Sequence, residues 1–203
     1  MKRGLILAGV ALAILGFYGP WITSARGLAA LTHNALDLAE FSKFINRAGF
    51  ASIAREWFLV PIVAAALVLA LWSNPPGKLS RVLCTLLTLA AAIFSLVPLP
   101  PYPFLLMAYS SAEDRLSFWL SVAGVLGVAL IFVFGPRIAG KWRGAMFVAL
   151  ALVGAVPSAW EFFTRALPAI STVYGSLAVV SWGLVVTMIG FALMTVGAVM
   201  RGA

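Results

Sequence analysis

The sequence predicts an all-α fold, a polytopic membrane bundle of six transmembrane helices with both termini cytoplasmic and one amphipathic helix near 35–48 on the outer side. Three observations carry this expectation. Of 203 residues, 63% are hydrophobic and only 10% are charged, against roughly 45–50% and 25% in soluble domains. Apolar runs of about 20 residues, the length that crosses a hydrocarbon core of roughly 30 Å, recur from one end of the chain to the other. The bases concentrate in short segments between alternate runs, an asymmetry that orients a membrane protein.

The first span is expected at about 4–23, behind Lys2 and Arg3. A signal peptide cleaved near Thr23-Ser24-Ala25 is the alternative, but the run is long for that purpose and ends in Tyr18 and Trp21, which read as an interfacial anchor. The second span is expected at about 53–72, with Arg55 and Glu56 at one end, and the third at about 82–98. The fourth is expected at about 116–135, the fifth at about 144–160 and the sixth at about 176–200. Helices and connections fill the chain, so residues 1–203 form a single transmembrane domain.

Segments 1–3, 73–81, 136–143 and 201–203 hold eight bases: Lys2, Arg3, Lys78, Arg81, Arg137, Lys141, Arg143 and Arg201. By the positive-inside rule this side is cytoplasmic, and in a bacterial cell the membrane is the plasma membrane. The opposite connections hold Arg26, Lys43, Arg47, Arg55, Arg115 and Arg165 together with all six acids. The net charge of +8 is therefore an orientation signal and a hold on anionic lipid headgroups, and no nucleic acid partner is expected.

The cytoplasmic connections are tight turns built on Pro and Gly, with no nucleotide-binding motif. The outer connections carry the elaboration. In the first, Asn34-x-x-Asp37 is a capping-box variant that opens the amphipathic helix, and Gly49 closes it. At about 100° per residue, Leu38, Phe41, Phe44, Ile45 and Ala48 share one face, opposite Glu40, Lys43 and Arg47. Asp37 breaks the apolar side and is read either as a cap or as a carboxylate turned into an outer vestibule. The second connection, with Tyr102 among its prolines, is too apolar from Phe104 to Tyr109 for a solvated loop and is expected to dip into the interface or cover helix ends. It closes on Glu113-Asp114-Arg115. The third begins at Trp160 and Glu161, after a proline that marks the end of the fifth span.

Few chemistries fit this inventory. One histidine, His33, and one cysteine, Cys84, leave no zinc cluster, disulfide or bis-histidine haem within the chain. There is no GxSxG, and the middle of every span lacks charge, which disfavours coupling through buried acids. No enzyme activity, cofactor or metal is expected. The positions expected to meet a ligand or partner are His33, Asp37, Glu40, Tyr102, Glu113, Asp114, Trp160 and Glu161. Gly183, Gly190 and Gly197 recur every seven residues and form a helix-packing face, turned either to a neighbouring helix or to another subunit.

In size and in its six-helix, termini-inside layout, the chain is similar to the substrate-binding membrane subunits of energy-coupling-factor vitamin transporters. The resemblance covers overall architecture, implies outer loops that close over a ligand, and carries over no functional residue. The expected function is a non-catalytic membrane subunit of a larger complex, transport-related, with the bilayer and other membrane subunits as partners. The alternatives are a stand-alone solute- or lipid-binding permease and a structural subunit of a photosynthetic or respiratory complex.

Overall fold

A computed structural model describes residues 2–25, 32–74, 81–100, 104–174 and 178–202. Arg26, Lys78 and Tyr102, together with Pro75 and Pro76, lie outside the described residues. The chain is mostly helical: α1 (Lys2–Tyr18), α2 (Ala35–Arg47), α3 (Val60–Ser73), α4 (Arg81–Ser95), α5 (Arg115–Phe134), α6 (Gly140–Glu161), α7 (Leu167–Tyr174) and α8 (Trp182–Gly202). Three stretches are long and apolar enough to cross a membrane, as fits a membrane protein: Arg115–Arg137, Gly140–Tyr174 and Trp182–Met200. The other three apolar helices, Arg3–Tyr18, Val60–Ser73 and Arg81–Ser95, are shorter. Length thus supports three of the six expected spans.

The central helix is α3, buried on nearly every side from Val60 to Ser73. Around it stand α1, α4, α5 and α6, and α8 packs on both α1 and α6. The surrounding helices turn small and polar residues inward. On α5 the buried stripe is Ser117, Ser121, Gly124, Val128 and Ile131, while Leu126, Leu130 and Val133 face out. On α6 it is Arg143, Phe147, Ala151, Gly154, Ser158 and Glu161, again one helical face. In a membrane, where burying leucine against protein gains little over leaving it in lipid, close packing by small residues holds helices together.

The α1/α8 seam shows this most clearly. A Cβ on Gly190 would stand 2.5 Å from the Ala13 nitrogen and 2.6 Å from the Gly9 oxygen, and one on Gly9 would stand 2.6 Å from the Gly190 oxygen. Gly16 likewise faces the backbone of Thr187 and Gly183, and Gly183 faces Gly19 and Pro20. Gly183 and Gly190 therefore pack within the chain, against α1; Gly197 is buried further along the same helix.

Several expected boundaries are corrected. The first helix stops at Tyr18 rather than Thr23, because the residue before Pro20 is pushed out of the helical region and proline offers no N–H. The chain then runs extended as β1 (Ile22–Ser24) and pairs antiparallel with β2 (Ala178–Val180). This two-stranded ladder is new, and it delays the sixth helix from 176 to Trp182. Gly183 N donates to Pro20 O at 2.7 Å and Ser181 N to Trp21 O at 2.8 Å, so the close α1/α8 crossing continues into its connections. Trp21 is no interfacial anchor: it is fully buried, donates from Nε1 to Gly16 O at 3.0 Å and meets Phe58 and Phe162 edge-on. Tyr18, by contrast, is exposed.

The second helix begins at Val60, after a 3₁₀ turn over Arg55–Phe58. The connection expected at 161–175 is helical instead over its described part, 161–174. α6 passes through Pro157, widens into a π turn at Phe162–Ala166 and continues as α7, giving 35 continuous helical residues. The π turn sits just before Pro168, where a regular ladder would lose a donor, and loosening the winding there accommodates the proline. The apolar turn Phe104–Met107 does not cover the helix ends: Phe104, Leu106 and Met107 are exposed.

At the end of the bundle away from α2, Arg143 is only 4% exposed. Its Nη2 donates to Asn74 O at 2.6 Å and to Gly135 O, the capping residues of α3 and α5. Asn74 Nδ2 returns a bond to Ala70 O at 3.1 Å, and Ser73 Oγ lies 3.2 Å from Thr88 Oγ1. A cation among C-terminal carbonyls satisfies groups that helices leave unpaired.

Because the atoms facing Gly190 are backbone and cannot move aside, Gly190→Ala is expected to destabilise the bundle by about 1–3 kcal/mol. Gly140→Ala, with nothing within 4 Å of the new Cβ, is expected to be neutral or slightly stabilising. Thermal unfolding of both variants in one detergent checks the contrast; equal stability would show that the seam is not close-packed.

Candidate functional site

The site builds up from α2. Asn34 Oδ1 accepts from Asp37 N at 2.9 Å, and Asp37 Oδ2 accepts from Asn34 N at 3.1 Å, a reciprocal capping box that sets where the helix starts. Ala35, Leu38, Ala39, Ser42 and Ile45 are buried against the bundle, and Gly49 at φ +73° turns the chain away at the other end. Asn46 then holds the returning strand through both Ile53 backbone groups, each at 2.8 Å. This brings the 3₁₀ turn alongside the polar face of α2.

Arg55, 6% exposed, is the centre of the resulting network. Its Nη1 donates to Asp114 Oδ1 at 2.9 Å and to Glu113 O at 2.7 Å, and its Nη2 donates to Glu40 Oε1 at 2.9 Å. Lys43 Nζ bridges the same two acids, at 2.7 Å from Glu40 and 3.0 Å from Asp114. Arg47 adds a two-pronged pair with Glu113 at 2.7 and 2.5 Å. One guanidinium thus ties α2, the start of α3 and the start of α5. Burial pushes the Asp114 carboxyl up, but hydrogen bonds from Arg55 and Lys43, with their charges, outweigh it and hold the group below its ordinary value.

Two cavities adjoin this network. A polar one of about 250 Å³ is lined by Lys43, Asn46, Arg47, Arg55, Glu56 and Glu113 among others. An open groove of about 460 Å³, lined mainly by Trp57, Val60, Leu116, Trp119 and Leu120, has Glu56 in its wall as well. Glu56 therefore stands between a charged cavity and an aromatic one.

The structure brings together only part of the expected set. Glu40, Glu113 and Asp114 meet in the network, but as partners of bases. Asp37 is in the capping box. His33, at the opposite end of α2, stacks on Phe41 with ring centroids 5.1 Å apart, and its backbone bridges to Ile22. Burial lowers the His33 imidazole from its ordinary value, against the pull of Asp37. Glu161, 3% exposed, accepts from Ala54 N at 2.7 Å and lies 3.4 Å from Arg165. Trp160 is 68% exposed on the outside of α6 and joins none of these groups. Tyr102 lies outside the described residues.

Sequence reasoning passed over Arg55, Lys43 and Arg47 as orientation signals and passed over Glu56, Trp57 and Trp119 entirely as site residues. One signal was present: Arg55-Glu56-Trp57 places two opposite charges and an indole directly before an unbroken apolar run. Among the described residues, no group of three or more His, Cys, Asp or Glu side chains is placed to hold a metal ion. No protein-family model, curated protein or solved structure matches the chain.

Removing Arg55 leaves Asp114 and Glu40 without their central partner, so Arg55→Leu is expected to cost about 3 kcal/mol. Replacing Asp114 with leucine as well should recover much of that loss, since the buried pair is dear to break and cheap to remove whole. Thermal unfolding of the single and double variants tests this; a double variant no better than the single one contradicts it. The depressed Asp114 acid carries a pH signature too. Its contribution is fully present above the unfolded value of about 3.9 and is lost as pH falls through the folded one. Stability measured across the acid range should show that loss in the parent chain and not in Asp114→Asn.

Proposed function

We propose that this chain is a non-catalytic integral membrane subunit of a larger, transport-related assembly. In this reading all six apolar helices cross a bacterial plasma membrane. Both termini are cytoplasmic, and the α2 end faces outward to contact a ligand or partner. The concentration of eight bases in segments 1–3, 73–81, 136–143 and 201–203, which alternate along the sequence with the segment that carries α2, supports that orientation.

The observation that carries the subunit reading is α4. The central helix α3 is enclosed by protein. α4 has no such cover: only Ala91 and Ser95 are buried, while Val82, Leu86, Leu89 and Ile93 are each more than half exposed. Along its seam with α5 runs an apolar groove of about 290 Å³ floored by Ala92, Val128 and Ala129. A helix from another subunit laid there would cover that exposed face and fill the groove.

A second reading, a lipid- or solute-binding protein acting alone, draws its support from the groove beside Glu56.

A photo-crosslinking side chain at Leu89 or Ile93 is expected to capture a second membrane polypeptide that co-purifies stoichiometrically from native membranes. The same label at Leu152, on the exposed side of α6, serves as the control and should capture lipid. A monomer that crosslinks to lipid alone at all three positions, and that transports solute in liposomes containing no other chain, would sink the subunit reading in favour of the second.

A further inference from the structure

The acids and bases at the α2 end do not all pair with one another. Lys43, Arg47 and Arg55 are all engaged by Glu40, Glu113 and Asp114. Glu56 is the acid left over: among the described residues its carboxylate has no ion pair and no hydrogen bond. It is half-buried, and it lines both the polar cavity and the 460 Å³ groove. The rest of the groove wall is Ala54, Trp57, Val60, Leu116, Trp119 and Leu120.

These elements specify a chemistry. An unpaired carboxylate attracts a cation, and indole rings attract an ammonium or alkylammonium through their negative faces. The aliphatic wall takes a hydrocarbon chain, and a volume of 460 Å³ lies within the range of small-molecule sites. The groove sits on the first turns of α3 and α5, where the apolar stretch Arg115–Arg137 begins, the depth at which tryptophans meet headgroups. Trp57 and Trp119 are 40% and 54% exposed, so the groove is open to its surroundings. An apolar tail reaches such a place through the bilayer.

We propose that the groove beside Glu56 is a binding site for a membrane aminolipid, with the headgroup ammonium on the Glu56 carboxylate and between Trp57 and Trp119, and the upper part of an acyl chain along Leu116 and Leu120. The polar cavity behind Glu56 holds bases that already have partners, so an anionic headgroup finds no free cation there. The site stands apart from the α4 face and does not depend on whether α4 meets another subunit.

The test uses the full chain in nanodiscs of equal phosphatidylethanolamine and phosphatidylglycerol, two lipids that share the phosphate and acyl chains and differ in the ammonium. Lipid retained on the chain is identified by native mass spectrometry. Phosphatidylethanolamine is expected to be enriched about fivefold, the worth of one exposed charge contact with an aromatic contribution. Glu56→Gln should abolish the headgroup preference while leaving thermal stability unchanged, because that carboxylate holds nothing in place. Trp119→Ala should lower occupancy by both lipids. Glu40→Gln, on the other side of Arg55, should leave the preference intact. Equal retention of the two lipids by the parent chain overturns the proposal, as does an undiminished preference in Glu56→Gln.

Discussion

Everything in this bundle is arranged around the need to bury α3. A helix hidden on all sides contributes no contact with lipid, and its two ends bring unpaired backbone groups and a change of direction into the protein interior. Each end is met by a buried arginine. At the first end, Arg55 in the preceding 3₁₀ turn binds Asp114, Glu40 and the Glu113 carbonyl, fixing the start of α3 to α2 and α5. At the last end, Arg143 of α6 binds the carbonyls of Asn74 and Gly135, fixing the finish of α3 to that of α5. In both places the buried charge is held by hydrogen bonds from the guanidinium ends, to two carboxylates and a carbonyl at Arg55 and to two carbonyls at Arg143. The 14 residues of α3, all apolar but Ser73, pack freely because the polar work is done at the ends.

The two clamps divide the interior. Toward α2 the core is aromatic: Trp21 meets Phe58 and Phe162 in T-shaped contacts, in a cluster that also holds Phe17 and Ile170. Away from α2 it is built on the alanines of α3, which let Phe147 and Phe191 approach the axis. Gly154 shows how closely: its missing side chain leaves room for the Phe191 ring, with Ala64 Cβ at 2.9 Å from where a Cβ would stand. Aromatic packing at one end and rings seated over alanine and glycine at the other are two answers to the same lack of a hydrophobic force between helices in lipid.

The charged residues change meaning in this light. Arg143, which as a loop residue would report orientation or hold a lipid headgroup, is enclosed and serves two helix termini. The acids at the α2 end, which in isolation suggest a binding face, are mostly absorbed by Arg55, Lys43 and Arg47. What remains for an outside molecule is the remainder of that pairing, Glu56, and the tryptophans beside it. A site found in this way is a residue of the folding electrostatics, so it is invisible until every pair has been made.

The sequence by itself determined the helical class, the approximate place of α4, α5 and α8, the start of α2 at Asn34 and its close at Gly49. These follow from local causes: apolar length, a capping box, a glycine at positive φ. It also placed glycines of α8 on one face, because a seven-residue period is a helical property. Only the tertiary structure decided what that face touches, that Trp21 is interior, that Ile22–Ser24 finds Ala178–Val180 across more than 150 residues, and that α6 runs on past Pro157 to Tyr174. Long-range pairing leaves no mark on either partner alone. In a chain this apolar, hydrophobicity cannot separate a residue facing lipid from one facing protein, because both environments accept the same side chains.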